Sequence, residues 1–112
     1  MKIYHNPRCR KSRETLQLLQ DNGKSPEIVE YLKDVPSKEE LEEILNKLNI
    51  KPEELIRKGE AEYKDNFKGK NLSDEQWMEA MIKYPKLIER PIVINGNKAV
   101  IGRPPEKVME VL

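Results

Sequence analysis

Short β-rich runs stand near the two ends of this 112-residue chain, and the apolar stripes between them have helical spacing. That pattern limits the fold more than any other feature. Lys2-Ile3-Tyr4 predicts a strand that stops at His5-Asn6-Pro7, because Pro7 has no ladder donor and Asn-Pro favours a turn. A helix follows, with Thr15, Leu16, Leu18 and Leu19 on its apolar side and Asn22-Gly23 as a left-handed stop. Ile28-Val29 predicts a second short strand, with Tyr31-Leu32 at its end. Near the other terminus, Pro91-Ile92-Val93-Ile94 and Ala99-Val100-Ile101 flank Asn95-Gly96-Asn97, a strong hairpin pattern. Pro104 is expected to start a last helix whose apolar residues are Val108, Met109, Val111 and Leu112.

The middle is helical. Ser37 and Glu40 have the spacing of a capping box, ahead of a stripe of Leu41, Ile44, Leu45 and Leu48. Pro52 suits the first turn of a short helix carrying Leu55, Ile56 and Arg57. Ser73 and Gln76 repeat the capping box before Trp77, Met78, Met81 and Ile82, a stripe expected in the core. The polar stretch 59–71 predicts a surface loop or ragged helix. The order βαβ, helices, ββα predicts an α/β chain with the thioredoxin-like fold: one four-stranded mixed sheet, with a helical insertion between its halves. Another α+β topology fits the same order. One domain over 1–112 is expected, with the insertion at about 37–84.

Composition decides whether such a chain folds. Mean hydropathy is −0.82, yet Leu, Ile, Val and Phe make up 28 of 112 residues. That fraction exceeds the roughly 20% associated with disorder, and net charge is only +1. A small core under a charged surface follows. The sequence contains one cysteine, Cys9, which excludes an internal disulfide, a CxxC pair and a multi-cysteine zinc site. No second His or Cys at ligand spacing supports a metal. The N-terminus lacks a signal-peptide apolar run and no stretch is long enough to span a bilayer, so a reduced cytoplasmic setting is expected.

The near-zero net charge conceals an asymmetry. Residues 1–25 hold six basic and two acidic side chains, whereas 26–60 hold six basic and ten acidic. Arg8, Arg10, Lys11 and Arg13 lie within four residues of Cys9. The cluster reads either as a solvated basic face or as a field that favours a thiolate or attracts an anion. Lone cysteines are most often small buried hydrophobes, but Arg-Cys-Arg-Lys is a poor core segment. Cys9 falls in the loop or first turn at a helix N-terminus, where free N–H groups and partial positive charge favour a thiolate. Ser12 stands where a dithiol oxidoreductase would hold its resolving cysteine. Its hydroxyl can donate to a thiolate or oxyanion, or simply bond backbone. His5, the sole histidine, is a strand-end surface residue or an acid–base or thiolate-orienting group.

Tyr4-His5-Asn6-Pro7-x-Cys9-x-x-Ser12-Arg13-x-Thr15-Leu16 resembles the N-terminal signature of the glutaredoxin-coupled arsenate reductase family, ArsC. The similarity continues through Tyr31-Leu32, Pro36-Ser37, Glu40-Leu41 and Leu55-Ile56-Arg57-Lys58. It is closest in Pro85-x-Leu87-Ile88-x-Arg90-Pro91-Ile92-Val93 and Arg103-Pro104. The resemblance implies a thioredoxin-like fold with a helical insertion. It implies that Cys9 is the nucleophile that attacks arsenic, and that Arg57, Arg90 and Arg103 bind the oxyanion and favour the thiolate. Pro91 matches the cis-proline that faces the active-site cysteine in such folds. His5, Asn6 and Ser12 would support the site.

Read without the family, Arg57 caps a helix C-terminus, Arg90 and Arg103 flank an ordinary hairpin, and Pro91 is a trans proline opening an edge strand. Arg90 and Arg103 nevertheless stand at opposite ends of the 90–103 hairpin, so they can lie side by side, and two guanidinium forks suit a tetrahedral oxyanion. The implied function is reduction of arsenate to arsenite with glutathione as co-substrate, glutaredoxin as reductant and no bound cofactor or metal. A single cysteine fits external resolution and not a relay of internal cysteines. Arg8, Arg10 and Lys11 depart from the small residues expected around the nucleophile, which leaves the oxyanion open. Two alternatives remain: a related thiol reductase acting on another oxyanion or a glutathione mixed disulfide, and a Spx-like RNA polymerase-binding regulator. The CxxC switch usual in such regulators is missing. No nucleic-acid or membrane partner is expected.

Overall fold

A computed structural model describes the whole chain, Met1–Leu112. The chain forms two compact units, Met1–Asp34 with Arg90–Leu112, and Val35–Glu89.

The first unit is built on a four-stranded sheet in the order β2-β1-β3-β4. Its strands are β1 (Lys2–His5), β2 (Glu27–Glu30), β3 (Ile92–Asn95) and β4 (Lys98–Ile101). β1 runs parallel to β2 and antiparallel to β3, and β3 pairs antiparallel with β4. The parallel pair requires a crossover, which helix α1 (Arg10–Asp21) supplies. The connectivity is the βαβ plus ββα of the thioredoxin-like fold, with its mixed sheet. Alternation along the strands places Ile3 and Val93 on one face, where they pack with Leu19 of α1 and with Val108 and Val111. Met1, Leu16, Leu18 and Val100 complete this core at its margins.

Local chemistry sets the ends of these elements. α1 stops in a Schellman motif: Gly23 has φ +76, and Lys24 N–H and Gly23 N–H donate to the carbonyls of Leu19 and Gln20. In the hairpin, Asn95 pairs with Lys98, leaving a two-residue loop whose first position, Gly96, has φ +63. A positive φ at the first loop position is what a type II′ turn demands.

The terminal segment differs from expectation. Pro104 follows a cis peptide bond and precedes the helix, which is a 3-10 helix over Pro105–Val111. In that geometry residues three apart eclipse, so Pro105, Val108 and Val111 are buried while Met109 and Leu112 face solvent. Met109 and Leu112 are therefore not core residues.

The second unit holds α2 (Lys38–Leu48), α3 (Ala61–Asn66) and α4 (Asp74–Lys83), with short 3-10 turns at Pro52–Leu55 and Pro85–Leu87. Both capping boxes form. Ser37 Oγ accepts from Glu40 N–H while Glu40 accepts from Ser37 N–H, and Ser73 and Gln76 do the same. Leu41, Ile44 and Leu45 of α2 are buried, as are Trp77, Met78 and Met81 of α4; Leu48 and Ile82 are half-buried. The polar 59–71 stretch contributes more than a loop. Tyr63 stacks on Trp77 with ring centroids 6.4 Å apart, and Phe67 lies 5.9 Å from both Trp77 and Tyr84. A bridge between Ile56 and Ile88, with Arg57 N–H donating to Leu87 O and Glu89 N–H to Leu55 O, closes this unit just before Arg90. No helix is long and apolar enough to cross a membrane.

Gly102 marks the tightest approach in the first unit. A Cβ there would lie 2.8 Å from Thr15 Oγ1 and 3.0 Å from Pro91 Cγ. Both neighbours are buried, so one of them must move. Gly102→Ala is expected to lower stability by about 1–3 kcal/mol in urea denaturation. An unchanged midpoint would contradict the close approach.

Candidate functional site

The site grows from the turn that ends β1. Asn6 accepts from two backbone donors, Arg8 N–H at its Oδ1 and Cys9 N–H at its carbonyl, each at 3.0 Å. These bonds fold 6–9 into a tight turn and deliver Cys9 to the N-cap of α1, with extended backbone (φ −92, ψ 122). The Cys9 carbonyl accepts from Arg13 N–H, so the helix starts from it, while its side chain makes no capping bond. The thiol is free and half-buried at a helix N-terminus.

Arg103 reaches this thiol from the far side of the sheet order. Gly102 N–H donates to Pro91 O, which ties the two ends of the hairpin together. Arg103 Nε then donates to the carbonyl of Arg90 at 2.7 Å, and Nη2 lies 3.6 Å from Cys9 Sγ. The guanidinium is thus held by its inner nitrogen and presents an outer one to sulfur. The Arg90–Pro91 peptide is cis, and Arg90 is buried beside it. Arg57 belongs to the second unit, where its Nη1 stands 3.6 Å from Glu60 Oε1.

His5, Asn6 and Ser12 form one buried network. Ser12 is fully buried; its Oγ accepts from Asn6 N–H at 3.0 Å and shares a 2.6 Å hydrogen bond with His5 Nδ1. The Ser12 oxygen therefore braces the turn that carries Cys9. Burial holds the His5 pKa below its usual 6.5, and the Arg13 guanidinium pushes the same way against the opposing charge of Glu30.

The cations nearest Cys9 in sequence point elsewhere. Arg10 bonds Glu14 at 3.0 Å along the outer face of α1, and Lys11 approaches the same carboxylate at 3.9 Å. Arg13 donates to Pro7 O. Thr15 was visible in the sequence as part of the helix face, but its contact with Gly102 was not. Its hydroxyl donates to Lys11 O at 2.8 Å and lies 3.4 Å from Gly102 O. No group of three or more His, Cys, Asp or Glu side chains is arranged to hold a metal ion.

The site is thus a thiol at a helix start that faces an arginine following a cis-proline hairpin. A family profile described as "ArsC family" matches residues 4–111. The chain belongs to the ArsC family. Among relatives, an arsenate reductase of Haemophilus influenzae is 48% identical over 98% of this chain and 97% of its own. A protein named YfgD of Escherichia coli K12, described as uncharacterized, is 49% identical over 100% of this chain and 96% of its own. Among solved structures, an arsenate reductase from Vibrio cholerae superposes with a TM-score of 0.95 at 46% identity, covering 99% of this chain and 96% of that one. The family's fold thus extends over the whole chain.

The lowered His5 pKa has a consequence for stability. The unfolded chain takes up a proton at His5 near pH 6.5, whereas the folded chain resists until a lower pH. The contribution from this group is therefore complete above pH 6.5, falls as pH drops through that value, and levels off below the folded pKa. His5→Gln is expected to show a smaller loss of stability than the unaltered protein between about pH 7.5 and 5.5. Denaturant midpoints at the two pH values measure it, and equal losses would contradict the assignment.

Proposed function

We propose that this chain reduces arsenate to arsenite through a Cys9 thiolate, with glutathione as co-substrate and glutaredoxin as the reductant. The observation that carries the reading is the Arg103 guanidinium 3.6 Å from Cys9 Sγ at the start of α1. A thiolate and arsenate are both anions, so their approach needs positive charge at the point of attack. Arg103 and the free N–H groups of α1 supply it. Arg90, matched through the family, would add a second guanidinium to the oxyanion cradle, and the family match assigns the same role to Arg57.

The chemistry balances with Cys9 returned unchanged. Sγ attacks arsenic and one arsenic–oxygen bond breaks, that oxygen leaving as water. Glutathione displaces a second oxygen from the Cys9-bound arsenic as water, forming an arsenic–sulfur bond. The glutaredoxin thiol then takes the glutathione sulfur as a mixed disulfide and leaves two electrons on arsenic, and one water hydrolyses the remaining Cys9–arsenic bond, returning the thiol and releasing arsenite. The net change is arsenate and two thiols to arsenite, one disulfide and one water. Both thiols consumed are external, which agrees with a chain holding one cysteine. A glutathione-rich cytoplasm is the setting that suits this chemistry.

Arsenate reduction followed by NADPH consumption, with glutathione, glutaredoxin and its regenerating reductase present, tests the reading. Activity in the unaltered protein and its loss in Cys9→Ser are expected. Activity surviving Cys9→Ser, or none in either protein, would contradict it. Arg103→Ala is expected to lower kcat/KM for arsenate by about 10²-fold or more. Arg10→Ala, an exposed residue paired with Glu14, is expected to stay within about twofold. The reverse order would assign the anion to the N-terminal cations instead.

A further inference from the structure

A cavity opens beside the turn that carries Cys9. It has a volume of about 270 Å³, and its lining includes His5, Pro7, Arg8, Glu30, Leu32 and Lys33. That is near the small end of ligand sites, about 300–1,000 Å³. Its residues come from two places: the β1–α1 turn, and the segment leaving the end of β2. Parallel pairing of His5 with Glu30 brings these two chain ends together. Arg8 is the residue immediately before Cys9, so whatever fills the cavity abuts the thiol's own turn.

The charges around this cavity are specific. Arg8 and Lys33 are exposed cations, and Glu30 is an exposed anion. Lys33 Nζ lies 3.9 Å from Glu30 Oε1, a long surface pair that contributes little to stability. Arg8 is not needed to build the turn through its side chain; only its N–H bonds Asn6. Pro7 and Leu32 provide an apolar wall. Two cations, one carboxylate and an apolar wall complement a small peptide with two carboxylates, one ammonium and an aliphatic segment. Glutathione has that composition. Arsenate, with no ammonium and no apolar part, does not.

We infer that this cavity seats the glutathione that attacks Cys9-bound arsenic, its carboxylates toward Arg8 and Lys33 and its ammonium toward Glu30. The inference deepens the proposed function and rests on it for the chemistry, while the binding site stands on the cavity and its charges. The two sites then divide the work around one sulfur. Arg103 serves the oxyanion, and the cavity at the β1–β2 end serves the incoming glutathione.

S-methylglutathione, which cannot react, separates binding from turnover. Titrated into ¹⁵N-labelled Cys9→Ser protein, it is expected to give saturable amide shifts at Asn6, Arg8, Leu32 and Lys33. Lys33→Glu and Arg8→Glu are each expected to weaken binding about tenfold, and Lys24→Glu to leave it unchanged. In turnover, Lys33→Glu is expected to raise KM for glutathione about tenfold without moving KM for arsenate. Absence of saturable shifts, shifts confined to Arg90 and Arg103, or an unchanged glutathione KM in Lys33→Glu would overturn the inference. Binding at the cavity in a protein that fails to reduce arsenate would support the site and overturn the reduction.

Discussion

Gly102 stands where the hairpin meets the first turns of α1, and the absence of a side chain there lets the base of the hairpin close against the helix that begins at Cys9. With hydrogen as its side chain, the backbone comes within reach of Thr15 Oγ1 and Pro91 Cγ. The Gly102 N–H is then free to bond Pro91 O, and the next residue, Arg103, is aimed back across the hairpin base. Its guanidinium is caught between the Arg90 carbonyl and Cys9 Sγ. A residue 94 positions away in sequence thus becomes the cation beside the thiol. The restraint is steric at its origin and electrostatic in its effect.

Sequence proximity and spatial proximity of charge separate clearly in this molecule. Arg10 and Lys11 flank the thiol along the chain, yet both spend their charge on Glu14 at the outer face of α1. Their place in a helix explains this, since i,i+3 and i,i+4 side chains are neighbours and i,i+1 side chains are not. Arg8 is exposed and lines the cavity beside the β2 end. The extra cations that distinguish this chain from the small residues expected there therefore leave Arg103 as the cation at sulfur. Beneath them, the His5–Ser12–Asn6 network braces the turn from the buried side.

The order of elements was legible because its signals are local. The two capping boxes, the Gly23 stop and the Asn95-Gly96-Asn97 turn each need only a few adjacent residues, and all four form. The four-stranded mixed sheet followed from the βαβ and ββα pattern, and the structure adds its strand order. What escaped depended on geometry that no local pattern encodes. Val108, Met109, Val111 and Leu112 could be named as the apolar residues of a last helix but not sorted into buried and exposed, and a 3-10 helix buries Val108 and Val111 while Met109 and Leu112 face solvent. Tyr63 and Phe67 sat in a stretch too polar to suggest a core, yet their rings pack around Trp77. At the site, Cys9 was marked by its neighbours and its place at a helix start. Arg90 and Arg103 were marked by the hairpin and the family resemblance. Thr15 against Gly102 required the folded backbone, and Ser12 gave no sign of choosing His5 and Asn6 over the thiol.

The central claim is that the Cys9 sulfur, with Arg103 beside it, bonds arsenic before any external thiol acts. Arsenic K-edge absorption on the protein incubated with arsenate alone tests this directly, because it counts the sulfur atoms bound to arsenic. One sulfur is expected in the arsenic shell of the unaltered protein and none in Cys9→Ser. An all-oxygen shell in the unaltered protein would contradict it.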